Sequence, residues 1–571
     1  MAKPFESRIQ NLVYNVDVGI GLRLTKAGLY FLFIFITMLL YTATQFHGLK
    51  DADAMETAQL GRNLLLNKAY VTQCIRPCTI WGLTTKSPGH SAYMNAHPEI
   101  LHPPLWPAML AAAFRITGTP FTSEKPGTFP AEQWAVIPVC HLFTLLAGLM
   151  LYLLARRLFD ARVALLATTV FFLSDTVWAD SISGTSLPLV TFLAVSAFYF
   201  ALGAALRREE EGGPARRWMI PLALSALFCI LAFYTRYAAA VLAPALAVFI
   251  GVSFRKKGWT WALVFLAVFA LGIAPWLVRN KIVSGGILGM APYAALNQTG
   301  TFEGNTFERM LRPTVTFGKT TSDLQAKFVT NLQQYYSVGF RTIGDGLFIS
   351  LFLAAFFYRF VRDAAHHLRW SLALALVLLL LVAAVFGEET ARLLHLFWPF
   401  VIVYGLAFFF ILLDRLQLTL RIFNLATTTA FVALAALPLV LTMMPPRVGV
   451  PYPPYYPPFP IHVCSMLNAD EMICTDMPWA TAWYGNRSSL LVPVTIDEFY
   501  EVNDYVKRVS GLYFTTITRN KPYVGGLLTG PDKTWFPILE GRIPPDFPLT
   551  QGFPINNMDQ LFLTDRVRWD K

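Results

Sequence analysis

Two carboxylates, Asp51 and Asp53, open a polar segment that runs from His47 to Pro107 and stands directly after an apolar stretch. A carboxylate at such a place has three uses. It can take a proton from an attacking nucleophile, cap the helix that DAMETAQLGRNLL predicts, or, as the pair in D-A-D, share a divalent metal ion. The segment closes with His97, Glu99 and His102, an H-x-E-x2-H cluster of metal-ligand residue types. Pro98, Pro103 and Pro104 argue against one regular helix presenting all three. We read them as acceptor-binding or structural residues, with Arg62 as a further polar candidate in the same segment. CIRPC at 74–78 is not a zinc pattern, because no second Cys or His pair stands at finger spacing.

The elements that must position these groups are membrane spans. Apolar residues make up 55% of the chain and charged residues 14%, and mean hydropathy is +0.48, far from a soluble globular average. The first apolar run, residues 27–46, is long enough to cross a hydrocarbon core of roughly 30 Å at 1.5 Å per residue. It follows a basic, amphipathic leader over residues 1–26 and is too long for a cleavable signal core. Later runs cover 134–155, 163–178, 186–206, 218–234, 238–254, 259–276, 342–358, 370–386, 393–413 and 422–443, which predicts about eleven spans over residues 27–443.

The net charge of +11 does not point to nucleic acid, since the basic residues cluster between apolar runs rather than along one hydrophilic face. The clusters at 156–162, 207–217, 255–257, 359–369 and 414–421 all fall on one side if each run crosses once, so that side is cytoplasmic. The alternation holds only if LWPAMLAAAF, at 105–114, does not cross but lies along the outer surface. The other face then receives the loop at 47–133, the loop at 281–341 and everything after Pro445, which places the active site and the tail outside the cell inner membrane. Arg236, Arg279 and Arg392 stand at the outer ends of spans, opposite the positive-inside bias.

Residues 444–460 are a proline and tyrosine linker that is neither helix nor central strand. Beyond it, 461–463, 472–474, 490–494 and 511–516 read as strands and 477–484 and 496–509 as helices, predicting a small α/β domain over 461–571. Cys74 with Cys78 and Cys464 with Cys474 share the outer face, where a disulfide within each pair is expected if that face is oxidising.

An acid after the first span, an A-x-x-x-R-N-like helix (Ala58 to Asn63), HPPLWP, TRY at Thr235, PWLVRN at Pro275 and ETARLLHLFWP at Glu389 together resemble the C-type membrane glycosyltransferases. The types most similar are the bacterial aminoarabinose transferases and protein O-mannosyltransferases. The resemblance covers about 27–443 and extends to ICTDMPWATAWYGNRSSLLVP in the tail. It implies an all-α polytopic enzyme that takes a sugar from a polyprenyl-phosphate donor. The acceptor would be the hydroxyl or amine of an envelope lipid, glycan or protein. The family pattern D-x4-A-x-x-[AG]-R fits Asp53, Ala58, Gly61 and Arg62 and makes Asp53 the catalytic base, with Asp51 or Asp180 as a second acid. Arg236, Arg279, Asn280, Arg392 and His395 are implied at the donor phosphate, which suits the planar fork of arginine. No cofactor is required on this resemblance, and a divalent cation, if present, would sit at Asp51 and Asp53. The sequence departs from the pattern at Leu187, where a carboxylate is expected. The loop at 281–341 is a lid by analogy alone. A transporter would show paired repeats and mid-span charge instead, and a non-catalytic assembly protein would work through its tail.

Overall fold

The structure is a computed structural model. It describes residues 20–86, 96–122, 129–209, 215–254, 257–338, 346–417, 421–445, 458–519, 529–530, 532–555 and 560–569. The leader up to residue 19 and most of the linker lie outside the described residues.

Eight helices among the described residues are long and apolar enough to cross a membrane. A ninth span is formed if Ala161–Phe172 and Asp175–Ser181, bent by 60° at a short break, are taken together. The two remaining sequence-predicted spans are shorter helical units, Tyr237–Ser253 and Gly346–Ala355. The first begins as a 3-10 turn after Arg236, and the second follows residues 339–345, which are not described. Leu105–Thr117 has 13 residues, about 20 Å of helix at 1.5 Å per residue, too short to cross. One face of it is buried, at Trp106, Leu110 and Phe114, while Ile116 is exposed. A helix of this length does not add a crossing to the count.

The C-terminal unit is a six-stranded sheet in the order β1-β3-β2-β4-β6-β5. Its strands are β1 (Cys74–Ile75), β2 (Met472–Thr475), β3 (Ser488–Leu491), β4 (Val509–Phe514), β5 (Gln551–Ile555) and β6 (Gln560–Thr564). β1 to β4 run parallel and β5 and β6 antiparallel. Helices Pro478–Gly485 and Ile496–Tyr505 cross over between the parallel strands. The second opens on a capping box, Thr495 with Glu498, which satisfies two orphan backbone donors at its start.

Four sequence expectations are corrected here. Residues 461–463 are not a strand but part of helix Pro458–Ser465, whose early prolines suit the fixed φ of a first turn. The hairpin of β5 and β6 is absent from the sequence reading. Pro554 makes β5 look unlike a strand, yet β5 is the sheet edge, where a missing N–H costs no ladder bond. β1 comes from the loop after the first span, 398 positions before β2 in the chain, so the sheet domain is not confined to 461–571. Neither disulfide is formed, since all six cysteines are free and buried. Cys74 lies in β1, Cys474 in β2 and Cys464 in helix Pro458–Ser465, each filling its core as a small apolar side chain.

Candidate active site

Helix Ala52–Asn67 carries the first candidate groups. Asp51 occupies its N-cap position with an extended backbone, yet its side chain makes no capping bond. It pairs instead with Arg392. Asp53 lies in the first turn, and its Oδ2 accepts a hydrogen bond from Nη2 of Arg236. Capping is therefore not the role of either carboxylate. Ala54, Ala58 and Gly61 are buried, and Gly61 meets Leu105–Thr117. A Cβ at Gly61 would stand 2.9 Å from Leu110 Cβ and 3.0 Å from the Pro107 carbonyl. The small residues of the A-x-x-G-R pattern thus set how closely two loop helices approach, and with it where Asp53 points.

Arg236 terminates helix Arg216–Thr235 in an extended conformation. That turns its side chain back toward Asp53, while its Nε donates to Ser186 Oγ at 2.8 Å. Ser186 immediately precedes helix Leu187–Glu209, and Leu187 itself is a buried core residue. The acid expected at Leu187 is absent, and the neighbouring serine instead holds the arginine.

His102 approaches Asp53 from the other side, with Nε2 at 3.7 Å from Asp53 Oδ1 and 3.6 Å from Glu56 Oε2. Its Nδ1 is 3.3 Å from Glu99 Oε1, and that oxygen also accepts from the backbone N–H groups of Leu101 (2.6 Å) and His102 (2.9 Å). Burial alone would push His102 down, but Glu99, Glu56 and Asp53 together raise it to about 9. Burial would raise Glu99, and the His102 charge with the hydrogen bonds outweighs it, holding Glu99 near 2. Behind this pair, Arg76 donates from Nη2 to Glu56 Oε1 (2.6 Å) and from Nε to Glu308 Oε2 (2.8 Å). Asn297 Nδ2 donates to the other Glu308 oxygen at 2.6 Å.

Several of these groups line one cavity of ≈ 340 Å³. Asp53, Arg76, His102, Arg236, Glu308 and Glu389 supply its charged wall. The remaining wall is largely apolar and comes from Leu105–Thr117, the loop after Ser284 and the outer ends of spans. A few convergent polar groups set in an apolar cavity are the pattern of a ligand site.

The other sequence-predicted residues divide differently. Asp180 pairs with His395, at 2.8 Å to Nδ1, and the two line a separate small cavity, so Asp180 does not share a wall with Asp53. Arg279 donates to the Glu99 carbonyl (2.5 Å) and to Asn280 Oδ1 (2.9 Å), with its guanidinium 4.9 Å from the Trp276 ring centroid. Asn280 reaches Tyr237 Oη at 3.4 Å. Arg279 thus holds the Glu99 turn and Asn280 supports Arg279 and Tyr237, and neither lines the cavity itself. Arg62 is fully buried and faces the C-terminal domain. It donates to the Trp483 (2.7 Å) and Ala482 (2.6 Å) carbonyls and to Gln73 Oε1 (2.6 Å). Burial draws its guanidinium down to about 9, and a ligand role for Arg62 is corrected to a structural one. His97 is likewise buried away from the cavity, against Thr79 at 2.9 Å, and burial lowers it to about 4.

Sequence reasoning missed Arg76, Glu56, Glu308 and Glu389 among its site residues. Only Glu389 carried a usable signal, its place in ETAR at the outer start of a span. Among the described residues no group of three or more His, Cys, Asp or Glu side chains is placed to hold a metal ion. Asp51 and Asp53 are each paired to a different arginine.

Fold and cavity together define a multi-pass membrane protein with a charged site beside a C-terminal α/β domain. Its fold is shared with solved membrane transferases. Residues 101–278, just under a third of the chain, match the family described as dolichyl-phosphate-mannose-protein mannosyltransferase. No curated protein matches the chain. Among solved structures it is similar to ArnT from Cupriavidus metallidurans bound to undecaprenyl phosphate, at TM-score 0.53 and 12% identity over 94% of this chain and 98% of that one. It is also similar to the Archaeoglobus fulgidus oligosaccharyltransferase in the apo form, at TM-score 0.57 and 13% identity over 87% and 71% of the two chains. The archaeal enzyme AglB, in complex with an inhibitory peptide and a dolichol-phosphate, matches at TM-score 0.56 and 14% identity over 86% and 70%. Another structure of the archaeal enzyme is a complex with zinc and sulfate, at TM-score 0.52 and 14% identity over 86% and 69%. At these identities the likeness is one of fold.

Proposed function

We propose that this protein is an integral membrane glycosyltransferase. It moves a sugar from a polyprenyl-phosphate donor to an acceptor hydroxyl or amine on the extracytoplasmic face, with inversion at the anomeric carbon. The observation that carries the reading is the Asp53 carboxylate in the cavity wall, held between Arg236 at the end of a span and His102 of the loop. The shared fold supports it, because ArnT and AglB were solved with polyprenyl phosphates.

Asp53 Oδ2 is held by Arg236, which leaves Oδ1 to take the proton from the acceptor as its oxygen or nitrogen attacks the anomeric carbon. The bond from that carbon to the phosphate oxygen breaks, and the phosphate leaves with the bonding pair. Arg236 and Arg76 stand in the same wall and offset the departing charge. Such a leaving group needs no strong general acid, so the missing carboxylate at Leu187 is not an obstacle. Retention would need a carboxylate nucleophile in the cavity. Glu56 is buried behind the wall and Glu308 is bound by Arg76 and Asn297, which leaves Glu389 as the one further carboxylate a retaining reaction would have to use. A divalent cation is not needed for these steps.

The test uses membranes carrying the wild-type chain or Asp53→Asn, incubated with a panel of radiolabelled polyprenyl-phosphate sugars. Label should leave the lipid fraction only with the wild type, and equal transfer by Asp53→Asn would sink the reading. Mass spectrometry of lipid-linked sugars accumulating in a deletion strain then identifies the donor. Orientation is tested separately with cysteines at two exposed positions, Arg216 and Asp470. The first should label only from the cytoplasm and the second only from outside. Labelling of both from one side removes the proposed topology.

A further inference from the structure

Arg76 and Glu308, two charged residues of the cavity wall, come from loops 232 positions apart in the chain. Each stands next to an anchor on the C-terminal domain. Directly before Arg76, β1 pairs in parallel with Ser489 and Leu490 of β3. Directly after Glu308, Arg309 donates from Nε to the Val492 carbonyl (2.8 Å) and from Nη2 to the Pro493 carbonyl (3.2 Å). Its Nη2 also pairs with the buried Asp532 carboxylate at 2.6 Å. The backbone joins in: Val494 N–H donates to the Arg309 carbonyl at 3.2 Å, and Leu311 N–H donates to Glu498 Oε1 at 3.0 Å. One strand, β3, and the three residues that continue it therefore hold both segments from which the Arg76–Glu308 pair is made.

The pair is also connected to the proposed base. Arg76 grips Glu56, and Glu56 and Asp53 flank the same ring nitrogen of His102 at 3.6 and 3.7 Å. A displacement of Glu308 changes the partners of Arg76, and through Glu56 the place of His102. A domain that was only tethered to the membrane unit would need no contact beside cavity-lining residues. Here two independent contacts, a strand pairing and a buried arginine, both end one residue short of the cavity.

We propose that the C-terminal domain positions one wall of the catalytic cavity without lining it, with Arg309 as the positioning residue that sets Glu308 against Arg76. Arg309 touches no cavity space itself and acts through its neighbour. The proposal rests on the glycosyltransfer reading for the word catalytic, but the coupling it describes is a property of the fold.

The full chain in detergent micelles carries the test, with wild type, Arg309→Ala, Arg309→Lys and Glu308→Gln compared. The first measurement is backbone hydrogen exchange. In Arg309→Ala exchange should rise at 304–312 and 492–494, and also at 74–78, which Arg309 does not touch. In Glu308→Gln, where the anchor is kept, it should rise at 74–78 with 492–494 unchanged. The second is KM for a short-chain polyprenyl-phosphate sugar that the wild type turns over. KM should rise about tenfold or more in Arg309→Ala and Glu308→Gln, because a shift of the wall on the order of 1 Å is costly. Arg309→Lys should recover part of the loss, since an ammonium still reaches Asp532 but loses the fork. Exchange raised only at 304–312 and 492–494, with 74–78 and KM at wild-type values, would overturn the proposal. If Asp53→Asn keeps the wild-type rate, the glycosyltransfer reading fails, and the exchange pattern alone still decides the coupling.

Discussion

Arg236 and Asp53, 183 positions apart in the chain, share a charge-assisted hydrogen bond in the cavity wall. Neither end of that bond is free to wander. Ser186 holds the Nε of the arginine, and the helix contact at Gly61 fixes the turn that carries the carboxylate. Asp53→Asn keeps the side chain's size and removes the base. Turnover should fall by about two or more powers of ten with donor binding largely kept. The contrary result is near-normal turnover in Asp53→Asn with Asp51→Asn or Asp180→Asn inactive, which would move the base.

Arginine positions should separate by where they stand. Arg236 lines the cavity, whereas Arg279 holds the Glu99 carbonyl and stacks near Trp276. Arg236→Lys loses the fork that engages Asp53 and Ser186 together and should cost about tenfold or more in kcat/KM. Arg279→Lys should cost less and act through the Glu99 turn. A larger loss in Arg279→Lys, measured with the same donor, would return Arg279 to the donor phosphate.

The retaining alternative has one outlet. Glu389 lines the cavity beside Asp53 and makes no ion pair among the described residues. If the reaction inverts, Glu389→Gln should still yield product of inverted configuration by NMR. A glycosylated Glu389 found by mass spectrometry would establish a covalent intermediate and retention.

The His102–Glu99 pair gives the outer loop a defined pH window. His102 is raised from 6.5 to about 9, so its contribution is complete below pH 6.5 and is lost as pH rises through about 9. Glu99 is lowered from 4.5 to about 2, so its contribution is complete above pH 4.5 and is lost as pH falls through about 2. Thermal unfolding of the wild type should therefore be flat between those inner limits and fall toward alkaline pH. His102→Gln should lose the alkaline fall attributable to this pair, and an unchanged fall would mean that His102 is not its source.

Gly61→Ala pits two effects against each other. Alanine favours a helix interior by about 0.8–1.0 kcal/mol over glycine. A Cβ at 2.9 Å from Leu110 Cβ overpacks a helix contact, which costs about 1–3 kcal/mol. The steric term should win, lowering the unfolding temperature and, by moving the first turn, turnover as well. A more stable Gly61→Ala would show that the two helices separate without penalty.

Asp53 stood out from the sequence because a polar segment after a membrane-length apolar run is a local pattern, and the resemblance singled out one acid within it. The spans were legible for the same reason. A bilayer imposes its thickness on contiguous residues, so runs such as 393–413 announce themselves without knowledge of their neighbours. The strands at 472–475 and 509–514 also followed from local composition. Tertiary structure decided which charges meet. Arg62 matched a family position, yet its carbonyl partners lie 421 and 420 positions away and turn it into a strut for the C-terminal domain. Two residues at 74–75 became a strand only because β3 offers them an edge. Cys464 and Cys474 stayed apart as core thiols because helix Pro458–Ser465 holds one and β2 the other. Asp180 went to His395 rather than to Asp53 for a similar reason, the bend between Ala161–Phe172 and Asp175–Ser181. Crossing a membrane depends on the residues of one segment, whereas an ion pair depends on distance in space. Loops 183 or 232 positions apart acquire that distance only when the helices between them have packed.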